Sequence, residues 1–159
     1  MTTTYPITSP LGDAARDAVG DELQAALTDL IDLSLIGKQA HWNVVGRHFK
    51  DVHEHLDELV DLARGAADQV AERAAAIGVS PDGRAATVAK TSGAPEFERG
   101  WRRDADVVAA IVETAAAVGS RMRARVESTD KTDLVTQDLF IEITTKLEQA
   151  HWMWQAQQS

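Results

Sequence analysis

Residues 49–77, FKDVHEHLDELVDLARGAADQVAERAAAI, carry the most regular apolar pattern of the chain. Apolar side chains recur there at three- and four-residue steps, which is the period of an amphipathic helix. Gly78 follows where a helix C-terminus favours glycine, and Pro81 stands shortly after it. We therefore predict one long helix with an apolar stripe that faces a hydrophobic core. The stripe consists of Val52, Leu56, Leu59, Val60, Ala63, Ala67, Val70, Ala74 and Ile77.

A second segment with the helical period precedes this stretch. It begins at Asp13 and extends to about His41, and Gly46 lies in the middle of a predicted turn before the next helix. Residues 1–12 are rich in threonine and contain two prolines, so we expect them to be a flexible leader. Residues 13–157 are then expected to fold as one domain.

Two more long helices are predicted after a connection rich in helix breakers, residues 80–95. This connection is too long for an ordinary helix–helix turn, and it contains a short helical pattern at 84–88. The third long helix is predicted over 97–127. A fourth follows, with candidate N-cap residues Ser128, Thr129 and Asp130 and apolar positions Leu134, Leu139, Ile143, Leu147, Ala150 and Trp154.

The whole pattern is that of an all-α protein, because no segment shows the period-two alternation of a strand. Four long helices, with one long crossover that carries a short helix between the second and third, predict a ferritin-like four-helix bundle.

Composition excludes several classes of function. The chain has 159 residues, no cysteine and a formal net charge of −9. Without cysteine there is no disulfide, thiolate nucleophile or thiolate metal site. No apolar run approaches the roughly 20 residues of a membrane span, and the N-terminus lacks the features of a signal peptide, so we expect a cytoplasmic protein. The negative charge disfavours a nucleic-acid-binding role and favours a cation as partner.

Two pairs of polar residues in the second helix have the spacing of one helical face. His53 and Asp57 are four residues apart, as are Asp68 and Glu72, and their donor atoms suit iron, manganese or zinc. At about 100° per residue, all four lie in a sector about 100° wide, centred about 140° from the apolar stripe. They therefore line the outer flank of the bundle, and His41 precedes them at the end of the first helix.

The two pairs are too far apart to share an ion within one chain. Their midpoints are 15 residues apart, or about 22 Å along a helix, whereas metal–ligand bonds are about 2 Å long. A two-fold axis beside this helix would bring the first pair of one chain near the second pair of its copy. The spacing favours a metal site between subunits, and the alternative is ordinary solvated surface charge.

The string KQAHWNVVGRHFKDVHEHLD, residues 38–57, resembles the signature of the Dps family, the ferritin-like DNA-protection proteins of starved bacteria. That signature joins a His-Trp-Asn triplet to a second His twelve residues on and an Asp four residues further. An Asp and a Glu follow eleven and fifteen residues after that Asp. The residues DQVAER at 68–73 also resemble the family's D-x-x-A-E-R stretch. Every step is matched by His41, His53, Asp57, Asp68 and Glu72.

The resemblance implies a hollow homo-dodecamer with iron-binding ferroxidase centres at its two-fold interfaces. His41, His53 and Asp57 would come from one subunit, and Asp68 and Glu72 from its neighbour. The implied activity is oxidation of Fe(II), preferably by hydrogen peroxide, with ferric mineral stored in the cavity. Removal of iron and peroxide would protect DNA from oxidative damage.

The resemblance gives further residues a role, each with a plainer alternative. Trp42, beside a ligand, is a candidate electron relay or an interface packing residue. In the family, acidic residues line pores on the three-fold axes, through which iron would pass. The residues here that resemble them are Asp133, Asp138 and Glu142. The alternative is that these are ordinary acids near a helix N-terminus. The candidates for mineral nucleation, otherwise solvated charges, are Glu54, Glu58 and Asp61.

A di-iron oxygenase fits the sequence less well. Its site inside the bundle needs two Glu-x-x-His motifs on different helices, and only residues 148–151 have that form. We therefore expect His48, His55 and His151 to be surface or packing residues.

DNA compaction is the other competing function. Family members that bind DNA directly usually do so through a lysine-rich tail, but residues 1–37 contain one basic residue against six acidic ones. We predict weak or no DNA binding, and any association with the nucleoid stays open. Intersubunit salt bridges account at least as well for the arginines near the ends of the third helix, which are Arg99, Arg102, Arg103, Arg121, Arg123 and Arg125.

Overall fold

The computed structural model describes residues 6–158, and over this range it contains five helices and two very short strands. The helices are α1 (Asp13–Asn43), α2 (Phe49–Ala76), α3 (Ala85–Thr91), α4 (Asp104–Thr129) and α5 (Leu134–Ala156). The strands β1 (Val44–Val45) and β2 (Arg102–Arg103) pair in parallel. Four long helices, with the short α3 in the crossover between α2 and α4, confirm the predicted all-α ferritin-like bundle.

The core lies between two helix pairs. Helix α1 packs mainly against α2, α4 packs mainly against α5, and contacts between α1 and α4 join the pairs. Every residue of the apolar stripe predicted on α2 is buried. Large buried side chains from the other three long helices meet this stripe, among them Leu23, Ile111 and Phe140. The opposite flank of α2 is therefore left to its polar residues.

The start of the third long helix was predicted too early. Helix α4 begins at Asp104 rather than at residue 97, because Arg102 and Arg103 pair with Val44 and Val45. This pairing is a contact between distant parts of the chain, which local periodicity does not reveal. Trp101, which the prediction placed in the helix, precedes it and is 75% exposed.

The start of the fourth long helix also differs from the prediction. Asp133 is its N-cap, and the Asp133 carboxylate accepts hydrogen bonds from the backbone N–H groups of Val135 and Thr136. Residues 128–130, predicted to cap this helix, lie instead at the end of α4. Leu134, predicted to be an apolar core position, is 68% exposed because it stands in the first turn of the helix.

The turn between α1 and α2 depends on Gly46. Its φ is +138°, and a Cβ added there would lie 2.6 Å from Cγ of Asp104. Glycine permits this approach, and the Asp104 carboxylate accepts a hydrogen bond of 2.6 Å from the backbone N–H of His48. The first turn of α2 is thereby tied to the first turn of α4.

Part of the predicted leader is described by the structure. Residues 6–12 precede α1, and Leu11 packs against the core. Residues 1–5 lie outside the described residues, and the flexibility of the leader stays a prediction. Among the helices of residues 6–158, none is long and apolar enough to span a membrane.

Candidate metal centre

His41, near the end of α1, and His53, in the second turn of α2, face each other. Their ring centroids are 3.5 Å apart and the ring planes differ by 21°. Nδ1 of each ring lies 2.8 Å from the backbone carbonyl oxygen of the other histidine. Because a carbonyl oxygen only accepts, each Nδ1 carries the proton and donates. In a neutral ring Nε2 then keeps its lone pair, which is the form that binds metal.

Asp57, one turn after His53, brings a carboxylate to the same place. Its Oδ1 lies 3.3 Å from Nδ1 of His41 and 2.5 Å from Nζ of Lys38. The hydrogen bond from Lys38 lowers the pKa of Asp57 below its usual value, so the carboxylate is ionised at neutral pH. His41 is buried, whereas the side chain of Asp57 is 47% exposed. Two imidazoles and one carboxylate thus meet at the surface of the α1–α2 pair.

Asp68 and Glu72 are exposed farther along α2, away from this group. Asp68 follows Asp57 by eleven residues, which is about 16 Å along a helix. Across residues 6–158, no three His, Asp or Glu side chains by themselves form a group that could hold a metal ion. His41 thus lies close to His53 and to Asp57, whereas Asp68 and Glu72 lie apart from them, and the metal site between subunits stays a prediction.

A groove of about 540 Å³ lies between α1 and the segment that follows α3. Leu35 and Trp42 line it from α1 and are 53% and 65% exposed, and Phe97 lines the other side. Large apolar side chains exposed next to one another mark a surface that another molecule covers. This exposure is consistent with the packing role for Trp42.

The predicted pore residues have different surroundings. Asp133 is buried, and its carboxylate contacts Nη2 of Arg73 at 2.7 Å and the hydroxyl of Thr136. Burial tends to raise the pKa of Asp133, but the hydrogen bonds from Thr136 and Arg73 outweigh it and lower the pKa below its usual value. Asp138 and Glu142 are exposed on α5. The Asp133 carboxylate is thus engaged in capping α5 and pairing with α2.

The predicted nucleation residues lie on the outer surface of α2. Glu54, Glu58 and Asp61 are all exposed, and Glu54 lies 3.7 Å from the ammonium group of Lys50. Their exposed positions are compatible both with mineral nucleation and with ordinary solvated charges.

A buried charge cluster between α1 and α4 was not anticipated from the sequence. Asp29 is fully buried and accepts hydrogen bonds from Nε of Arg121 at 2.8 Å, Nη2 of Arg125 at 2.7 Å and the backbone N–H of Gly93 at 2.7 Å. Arg121 and Arg125 therefore have an ion-pair partner within the chain. The buried cluster around Asp29 consists of one carboxylate and two guanidinium groups, which are not the ligands of a di-iron site.

Within residues 6–158, His48, His55 and His151 belong to no group of three or more side chains that could hold a metal ion. His55 stacks on Trp154 with ring centroids 4.1 Å apart, and burial lowers the pKa of His55. Glu148, the acid of the single Glu-x-x-His motif, pairs with Arg123 within the chain.

Comparison with known proteins places this fold in a family. A model of the ferritin-like domain matches residues 20–159. The DNA protection during starvation protein of Mycolicibacterium smegmatis is 39% identical over 153 residues, which cover 92% of this chain and 80% of that protein. The chain belongs to the Dps family.

Two further relatives agree with this membership. The DNA protection during starvation protein 2 of Deinococcus radiodurans is 38% identical over 134 residues, or 84% of this chain, but the match spans only 56% of that protein's length. The structure of Dps from Microbacterium arborescens in the high iron form has a TM-score of 0.89 and 31% identity, with 94% of this chain and 97% of that chain covered.

Proposed function

We propose that this Dps-family protein is a ferroxidase and iron-storage protein. The observation that carries the proposal is the half-site formed by His41, His53 and Asp57. Its two imidazoles are held by backbone carbonyl groups, and its carboxylate is ionised. Such a preformed but incomplete donor set suits a transition metal ion that another subunit helps to bind.

A second copy of the chain would complete the centre. Isologous packing about a two-fold axis would place Asp68 and Glu72 of one subunit beside the half-site of the other. Trp42, which follows His41 in sequence and is exposed, supports packing at this end of α1. The assembly that we propose is a hollow homo-dodecamer.

The chemistry follows from the donor types. Neutral histidine nitrogens retain Fe(II), and carboxylates stabilise the harder Fe(III) product. Hydrogen peroxide, the proposed preferred oxidant, takes one electron from each of two Fe(II) ions. Its O–O bond breaks, two protons are taken up and two water molecules form, so no hydroxyl radical is released. Ferric mineral would then collect inside the shell.

Acidic residues would bind iron in two places, where Fe(II) enters the shell and where Fe(III) mineral begins to form. Asp138 and Glu142 remain our candidates for lining a pore, since the Asp133 carboxylate is bound by Arg73 and Thr136. Nucleation of mineral by Glu54, Glu58 and Asp61 is proposed on their exposure alone. An electron relay through Trp42 remains the secondary role for that residue.

Rapid mixing tests the proposed activity. Anaerobic Fe(II) is added to the protein, followed by hydrogen peroxide, and the absorbance of Fe(III) is recorded for wild type, His41→Ala and Asp68→Ala. His48→Ala is a matched control, because the His48 side chain is exposed in the adjoining turn. We expect a large loss of rate in the two ligand variants only. Equal rates in all four proteins would refute the assigned centre.

A further inference from the structure

Lys38 places a positive charge inside the half-site. It lies three residues before His41 on the same face of α1, and its Nζ is 2.5 Å from Oδ1 of Asp57. The same oxygen is 3.3 Å from Nδ1 of His41. The Lys38 side chain is only 22% exposed, so its ammonium group is partly shielded from water. The ionised carboxylate proposed to bind iron is therefore already paired with a positive charge.

The ammonium group and a divalent cation compete for this carboxylate. A lysine ammonium has three donors and no lone pair, so it cannot become a ligand while protonated. A cation bound to Asp57 at about 2.1 Å would lie within a few ångströms of Nζ if Lys38 stayed in place, and repulsion between like charges is strong at that separation. Binding of the metal therefore requires that Lys38 moves away from Oδ1.

We propose that Lys38 is the counter-ion of Asp57 in the metal-free protein and that Fe(II) must displace it. This inference rests on the proposed function and adds a residue that sets iron affinity. Lys38 orients Asp57 towards His41 before iron arrives, and its charge weakens the binding of iron. A site of moderate affinity releases its Fe(III) product to the mineral more readily than a tight site does.

The proposal is tested by the binding of Zn²⁺, a divalent cation without redox chemistry, to the assembled metal-free protein in a calorimeter. Lys38→Met removes the ammonium and keeps most of the aliphatic stem. Arg123→Met is the matched control, because it removes one positive charge from an exposed ion pair on another face. We expect Lys38→Met to bind Zn²⁺ about tenfold more tightly than wild type, which corresponds to about 1.4 kcal/mol. Arg123→Met should match wild type.

If Lys38 has only a structural role, its removal should not strengthen the binding of Zn²⁺. If the lysine only pins α1 to α2, Lys38→Met would bind Zn²⁺ equally or more weakly, and this outcome would overturn the proposal. Lys38→Gln provides a second variant if Lys38→Met does not assemble. Lys38→Arg, which keeps the charge, should keep the affinity near that of wild type.

Asp57→Asn separates failure of the inference from failure of the proposed function. If Zn²⁺ binding to wild type depends on Asp57 but is unchanged by Lys38→Met, the counter-ion role is wrong and the metal centre stands. If wild type binds no Zn²⁺, or if Asp57→Asn binds it as well as wild type, the metal centre itself is wrong and so is the role of Lys38.

Discussion

His41 and His53 hold each other through two reciprocal hydrogen bonds, each from a ring Nδ1 to the partner's backbone carbonyl oxygen at 2.8 Å. The bonds join the last turn of α1 to the second turn of α2, where the rings also stack. One arrangement therefore orients both candidate ligands and fastens the two helices together. Substitution of either histidine should affect metal binding and stability at once.

The first prediction concerns this pair. His53→Ala removes the ring that donates to the His41 carbonyl and leaves the buried His41 ring without its stacking partner. We expect the free energy of unfolding of the metal-free protein to fall by about 1–3 kcal/mol, seen as a lower melting temperature in calorimetry. His48→Ala, with an exposed side chain, should melt like wild type. Equal melting temperatures for both variants would contradict the structural role of the pair.

The second prediction concerns the pH dependence of stability through Asp133. Its pKa in the folded state is below the usual value, so its contribution is complete above the unfolded value of about 3.9. That contribution is lost as the pH falls through the folded value. Asp133→Asn keeps a side-chain oxygen that can cap α5 but removes the charge that pairs with Arg73. This should cost about 1–3 kcal/mol at neutral pH, and the difference in stability from wild type should narrow below about pH 4.

Asp138→Asn is the matched control for Asp133. It makes the same change in charge on an exposed side chain of α5 and should leave stability nearly unchanged. Thermal melting from neutral to acid pH measures both variants. A gap between Asp133→Asn and wild type that stays constant down to the lowest pH would show that ionised Asp133 is not the stabilising form.

The third prediction concerns the buried cluster around Asp29. Two nitrogens of Arg125, Nε and Nη1, already have no hydrogen-bond partner among the described residues. Asp29→Asn would remove the counter-charge at 2.7 Å and leave this buried guanidinium with only the Glu22 carboxylate, 3.8 Å from Nε, which should cost about 3 kcal/mol. The exposed Arg123–Glu148 pair is the comparison, and Arg123→Met should cost at most about 1 kcal/mol. Unfolding in denaturant measures both variants. Similar losses of unfolding free energy in Asp29→Asn and Arg123→Met would refute the stabilising role of the buried Asp29.

The fourth prediction concerns DNA. Arg99, Arg102 and Arg103 are flanked in sequence by Glu96 and Glu98 and by the acids at the start of α4, and Arg103 interacts electrostatically with Asp104. This segment therefore offers little net positive charge for phosphates. Metal-free protein should not retard plasmid DNA in a gel at neutral pH and physiological salt. A clear shift under these conditions would revive the DNA-compacting alternative.

Local periodicity was sufficient to predict the four long helices and the positions of His53 and Asp57 on one flank of α2. The apolar stripe on α2 predicted both the buried face and the polar flank that carries His53 and Asp57, because one helical geometry sets both. The closeness of His41 to His53 was also expected, since a short turn joins their helices. These features depend on residues near one another in sequence.

The features missed depend on contacts between distant segments. Helix α4 starts at Asp104 because β2 pairs with β1, and Asp29 meets its arginines only after α1 and α4 pack. Lys38 stands at the start of the histidine motif, but its ion pair with Asp57 joins two helices. Its position three residues before His41 was the one available signal that it faces the site.

The central claim is that each metal centre takes ligands from two subunits, and mixed assemblies of two inactive variants test it most directly. In a dimer of one His41→Ala and one Asp68→Ala subunit, one centre carries both substitutions and the other carries neither. Random pairing of equal amounts should therefore restore about a quarter of the wild-type centres. We predict that co-assembled variants oxidise Fe(II) with peroxide at about this fraction of the wild-type rate. A rate no higher than that of either variant alone would contradict the account.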